Sequence, residues 1–308
     1  DGVLDFYSND NLYYRVDGNN YEIRTYVPIR LNGGTVIQDN DNLSFSIGYN
    51  SVVSNSTEAI SIGYNANGDG GQAYQGISLG AYAGYYNQGG SSISIGARAG
   101  QNNQGENSVA IGRHVADSSQ GSYSVAMGWY AGQNTQGSGA VALGEEAGRY
   151  TQSTYGVAIG AWAGYDTQGW SAVAIGKNAG EYSQGQVATA VGPSAGENYQ
   201  GRAATALGRM AGYTNQGENA VAIGRQAGYS YQGYNSIAIG QYAGQYNQAA
   251  YSIVLNASGN ELDGATSGLF IDPIAYEEYQ DATYDGLMFY NASTKEVRYS
   301  YALDGGSF

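Results

Sequence analysis

From Gly80 onward the chain repeats one pattern every sixteen residues, and little else can satisfy that constraint but a stack of identical coils. The segment AVAIGKNAGEYSQGQV (172–187) is followed at once by ATAVGPSAGENYQGRA (188–203). The glycine closing each AVAIG-like run falls at Gly80, Gly96, Gly112, Gly128, Gly144, Gly160, Gly176, Gly192, Gly208, Gly224 and Gly240, with Asn256 in the next slot. Eleven steps of sixteen pass without slippage, and looser versions end at Gly48 and Gly63.

One unit reads small, aliphatic, small, aliphatic, Gly, two variable residues, Ala-Gly, three variable polar residues, Gln-Gly and two variable residues. Strict alternation places Val173 and Ile175 on one face of a strand and Ala172 and Ala174 on the other. A second short polar strand and glycine corners complete a flattened β-solenoid coil that pairs in parallel with the next coil, about 4.8 Å along the axis. The fold class expected is therefore all-β, a parallel β-roll or β-solenoid. Its glutamines, Gln88, Gln104, Gln120, Gln136, Gln152, Gln168, Gln184, Gln200, Gln216, Gln232 and Gln248, are expected to stack as an amide ladder, each donating to the next. The two aliphatics per coil are read as its buried core and the Ala/Ser face as one a second sheet can approach closely. So thin a core predicts an obligate oligomer.

Composition narrows the function classes. With Gly 49 and Tyr 31 beside Phe 5, Met 3 and Pro 3, a thick globular core cannot be built. A net charge of −14 argues against a nucleic-acid partner, which needs clustered Lys and Arg. The middle, 80–256, is nearly neutral, with 8 acidic and 7 basic residues, whereas the two ends are acidic. Without cysteine there is neither a disulfide framework nor a thiolate metal site. No run of about 18 apolar residues occurs, so no membrane insertion is expected, and a start at Asp1 suggests a processed chain or a fragment.

SVAIG (108–112), SVAMG (124–128), AVALG (140–144) and SIAIG (236–240) resemble the head repeats of trimeric autotransporter adhesins, the YadA-like heads. The resemblance covers about 42–256 and implies a left-handed parallel β-roll assembled as a homotrimer. The period departs from it, since the familiar head repeats are shorter and lack the Ala-Gly and Gln columns. SIVLNASG (252–259), GLFIDPI (268–274) and LMFYNASTKEVRYS (287–300) look like segments that follow such repeats in structural proteins of tailed phages and large viruses. Such segments often precede a self-cleaving chaperone, which would place a cleavage after Phe308. Three regions are expected: an N-terminal β cap or attachment region (1–41), the β-roll (42–256), and a C-terminal β cap (257–308). Asn11–Val27 reads as a hairpin turning at Asp17-Gly18, and 286–301 as one turning at Asn291–Lys295.

Function is expected at the variable positions. Trp129, Tyr130, Trp162, Tyr165 and Trp170 are the candidate receptor contacts, since exposed aromatics beside Asn, Gln and Asp suit sugar rings or a surface protein. The alternative is that they stiffen the rod between coils or across trimer grooves. His114 has no recurring partner for metal or base chemistry, and adjacent Glu145 and Glu146 on a strand would face apart. An acidic turn is favoured over a Ca²⁺ site at Asp39 and Asp41, and the Asn-x-Ser/Thr triplets at Asn55, Asn256 and Asn291 are short enough to arise by chance. No catalytic residue, cofactor or metal site is assigned. The leading expectation is a non-enzymatic fibre or adhesin module, extracellular, on a virion surface before a bacterial one. Its partners would be copies of itself, a host glycan or protein, and other fibre proteins at the termini. The alternatives are a tailspike-like polysaccharide-degrading enzyme and an ice-binding solenoid.

Overall fold

Alternation of small and aliphatic residues over four positions, closed by glycine, produces a strand of about three residues in every coil. A computed structural model describes residues 44–51, 58–68 and 74–273 in full, together with the backbone of strands Val3–Ser8, Asn11–Asp17, Glu22–Thr25, Ile29–Leu31, Gly34–Asn40, Leu287–Tyr290 and Val297–Ser300. The described residues form an all-β parallel solenoid and contain no helix. The chain divides into two units, Asp1–Asp272 and Pro273–Phe308.

Two parallel sheets run along the solenoid, the second shorter than the first. The first, the alanine sheet, stacks like on like: Val157 pairs with Val173, Ala158 with Ala174 and Ile159 with Ile175, and the same register holds in neighbouring coils. It begins at Ser44–Ile47 and continues one strand past Asn256, to Gly268–Asp272. Fourteen turns at about 4.8 Å give a rod of roughly 67 Å. The second, the glutamine sheet, has nine strands from Tyr86–Gln88 to Thr214–Gln216 and is extended by bridges from Thr214 to Ser230 and on to Tyr246. Upstream, Gly34–Asn40 pairs antiparallel with Ser44–Ile47, so the first edge of the alanine sheet is already hydrogen-bonded.

The interior is the reverse of the one expected. Ala172 and Ala174 are fully buried, whereas Val173 is half-buried and Ile175 is 37% exposed. The reason lies across the coil. Gln184, itself buried, reaches over from the opposite sheet and donates its Nε2 to the Val173 carbonyl at 2.8 Å. Only a methyl-sized neighbour leaves room for that amide, so alanine or serine must face inward and the aliphatic residues outward. Where serine replaces the first alanine, its hydroxyl caps the preceding corner, as in Ser108 to Gly105 O at 2.6 Å.

Glycine makes the corners possible. Gly176 sits at φ +125, and a Cβ there would lie 2.8 Å from the carbonyl of Gly192 in the next coil. A side chain would be strained twice over, by backbone conformation and by contact. Asn256 ends the series: its buried amide donates to Gln241 O at 2.9 Å and Asn260 O at 2.6 Å, replacing a corner with side-chain bonds.

Amide-to-amide links run without a gap from Gln120 to Gln248, each Nε2 donating to the Oε1 one coil later at 3.0–3.1 Å. Gln88 and Gln104 bond differently. Ser78 and Ser94 donate to their Oε1 atoms at 2.7 and 2.6 Å. In the next coil the equivalent residue is Ala110, and Gln120 Oε1 is buried without a partner.

The N-terminal pairing Asn11–Asp17 with Glu22–Thr25 and the C-terminal pairing Leu287–Tyr290 with Val297–Ser300 are both antiparallel, as the hairpin reading expects. Their turns, the Asp39 and Asp41 side chains, Asn55 and Asn291 lie outside the described residues.

An unpaired buried acceptor costs about 1–3 kcal/mol. Ala110→Ser supplies a hydroxyl placed as Ser94 is for Gln104. The expected result is a gain of about 1 kcal/mol, read from the urea midpoint; an unchanged or lowered midpoint would contradict this account of the ladder's end.

Candidate aromatic and acidic corner

From Gly80 onward the coils turn between their two sheets at Gly, two variable residues, Ala-Gly and one further variable residue, with Val115-Ala116 in place of Ala-Gly in one of them. The second variable residue has a left-handed backbone whatever its identity: Tyr130 at φ 57, Glu146 at 55, Trp162 at 58, Asn178 at 59. Such angles are uncommon for bulky residues. They persist because the corner is held by bonds between coils, such as Trp162 N to Glu145 O at 2.9 Å and Gly164 N to Ala179 O at 2.9 Å. Side chains at this position, and at the positions three and four later, stand in columns along one edge of the rod.

In these columns sixteen-residue neighbours touch. His114 stacks on Tyr130 with centroids 5.1 Å apart and Tyr213 on Tyr229 at 4.9 Å, and between adjacent columns Tyr150 meets Tyr165, fifteen residues on, edge-on at 5.1 Å. Within a coil, residues three apart pair: His114 Nδ1 with Asp117 Oδ2 at 3.0 Å, and Arg149 Nη1 donating to Glu146 Oε2 at 2.8 Å. His114, the one histidine of the chain, therefore has a carboxylate partner three residues on, although no partner recurs along the repeat.

Four of the five candidate contacts share this edge. Trp129 is exposed and packs on Tyr130 at 4.6 Å. Arg149 lies over the Tyr130 ring at 4.7 Å. Trp162 and Tyr165 line a cavity of 280 Å³ together with Glu146, Glu181 and Tyr182. Trp170, exposed, belongs to the other turn, between the glutamine strand and the following alanine strand, and joins neither cluster. Sequence reasoning found the aromatics but not the carboxylates beside them. Writing the chain in rows of sixteen would have shown Glu146 above Trp162, and Tyr165 above Glu181.

The cavity is acidic and its phenols stay protonated. A hydrogen bond to Glu181, then burial and the charges of Glu181, Glu197 and Asp166, push Tyr182 up to about 12. The hydrogen bond that the Tyr165 hydroxyl makes to Tyr150, and then burial, push Tyr165 up to about 12. Burial opposes the charge on Arg149, but the bond and charge of Glu146 more than offset it and its pKa is raised. Among the described residues no group of three or more His, Cys, Asp or Glu could hold a metal ion.

No protein-family model, curated protein or solved structure matches the chain.

Because Tyr182 ionises later in the folded chain than the ordinary phenol near 10, its contribution to stability is complete below about pH 10 and is lost as pH rises toward 12. The difference in urea midpoint between the parent and Tyr182→Phe is expected to be flat from about pH 7 to 9 and to shrink above about pH 10. A difference that grows with alkalinity would reverse the assignment.

Proposed function

We propose that this chain is a non-enzymatic fibre or adhesin module, a left-handed roll that assembles in threes, side by side, into an extracellular rod with small β caps at its ends. The observation that carries the reading is the outward face of the alanine sheet. Its two columns, aliphatic apart from Phe45, Thr189 and Thr205, run in register from Phe45 and Ile47 to Leu269 and Ile271. Many of these side chains are more than a third exposed, including Met127 at 41%, Leu207 at 44% and Leu269 at 57%. A strip about 67 Å long and about 10 Å wide exceeds the apolar patches usual on a monomer. Its constant register suits a copy of itself, because only a rod of the same repeat presents matching columns over the whole length. The threefold number comes from the likeness of SVAIG, SVAMG and SIAIG to the heads of trimeric adhesins.

Assembly on this face leaves the corner columns at the edge of each roll, where a host glycan or protein can reach them. A virion fibre is favoured over a bacterial surface structure on the resemblance of the C-terminal segments. The repeated positions are committed to the scaffold, and the Glu146 carboxylate is committed to Arg149, which favours attachment over hydrolysis.

Light scattering of the purified chain is expected to give three times 32.3 kDa. The double variant Ile159→Asp, Ile175→Asp places two charges on the strip and none in the interior. It is expected to lower the mass to one chain while far-ultraviolet circular dichroism is retained. A parent mass of one chain would overturn the assembly, and a mass of two would keep the face but remove the threefold symmetry.

A further inference from the structure

The cavity at the corner holds a carboxylate whose electrostatic partner is missing. Glu181 is only 7% exposed. Its side chain accepts from the Asn178 amide and bonds the Tyr182 hydroxyl, both neutral groups. Among the described residues no Lys, Arg or His forms an ion pair with it, although the neighbouring Glu146 has Arg149 and the exposed Glu218 has Arg202. Buried carboxylates are ordinarily matched by a cation, since neutral hydrogen bonds recover only part of the hydration they lose. The space beside Glu181 is walled by the rings of Trp162, Tyr165 and Tyr182.

Those rings already attract cations from within the chain. Lys177 Nζ stands 5.6 Å from the Trp162 ring, and Arg149 Cζ 5.9 Å from that of Tyr165. Arg149 is held by Glu146, and neither charge forms an ion pair with Glu181. Aromatic faces around a carboxylate form the setting in which an organic ammonium ion is bound, the ring quadrupoles and the anion acting together. A cavity of 280 Å³ has room for a small ammonium head group.

We propose that the Glu146–Trp162–Tyr165–Glu181–Tyr182 cavity is a binding site for an alkylammonium group. The site is built within one chain and stands whether or not the rolls assemble in threes. The same head group could be presented as a quaternary ammonium, an amino sugar or a lysine side chain, and these sources are separable by experiment.

The test titrates the full chain, followed by tryptophan fluorescence and calorimetry, with choline, glucosamine and N-α-acetyl-lysine. The controls are the neutral carbon isostere of choline and N-acetylglucosamine. Variants can be chosen without risk to the fold, because other coils carry the replacement at the same place. Gln101 and Gln133 occupy the position of Glu181, and Ser194 that of Trp162. At least one ammonium probe is expected to saturate with a Kd on the order of 1 mM or tighter. Its neutral counterpart should bind at least about tenfold more weakly, and Glu181→Gln and Trp162→Ser should each cost about tenfold. The probe that binds tightest identifies the source. Equal binding of the neutral controls, affinity unchanged in Glu181→Gln, or no saturation by any ammonium probe would overturn the proposal.

Discussion

The fold depends on one bond repeated along the rod, the reach of a glutamine amide across the coil to the backbone of the opposite strand. Gln168 to Val157 O and Gln184 to Val173 O, both at 2.8 Å, tie the two sheets of their coils together. From this bond follows the choice of alanine and serine for the interior, because the amide occupies the space a larger side chain would fill. The same bond turns valine and isoleucine outward. The apolar outer face of the alanine sheet is thus a direct result of the amide inside it.

Much of this was legible in the sequence. Period, strand position, parallel register and the glutamine column all follow from the spacing, since residues sixteen apart in a solenoid must be neighbours. Which face of the strand is inside was not legible. Alternation shows that Val173 and Ile175 share a face but gives no sign of direction, and the general preference for burying aliphatics pointed the wrong way. The deciding partner was Gln184, eleven residues after Val173, whose length matches the gap between the sheets. Nor could strand logic place Glu146: it lies in a left-handed corner, where it pairs with Arg149.

The corner shows how one scaffold tolerates diverse chemistry. Its backbone is fixed by bonds between coils, so the side chain at the left-handed position is free to vary from Ser194 to Trp162 without altering the path of the chain. What varies along the rod is therefore a surface text written on an invariant backbone. The acidic and aromatic stretch around Glu181 is one passage of it, and the tyrosine stack of Tyr213 and Tyr229 is another.

The glutamine chain also has a direction. Every link between Gln120 and Gln248 has its donor on the earlier coil and its acceptor on the later one, so the side-chain amide dipoles add rather than cancel. Aligned amides polarise one another, and each bond strengthens its neighbours. The series stops short of Gln104, whose Oε1 accepts from Ser94 and whose Nε2 donates to Ile93 O, as its counterparts do in their own coils, but not to Gln120 Oε1. A serine-to-alanine change between successive coils thus acts as an electrical joint, dividing an outwardly uniform rod into a short segment of independent amides and a long one that behaves as a single polarised wire.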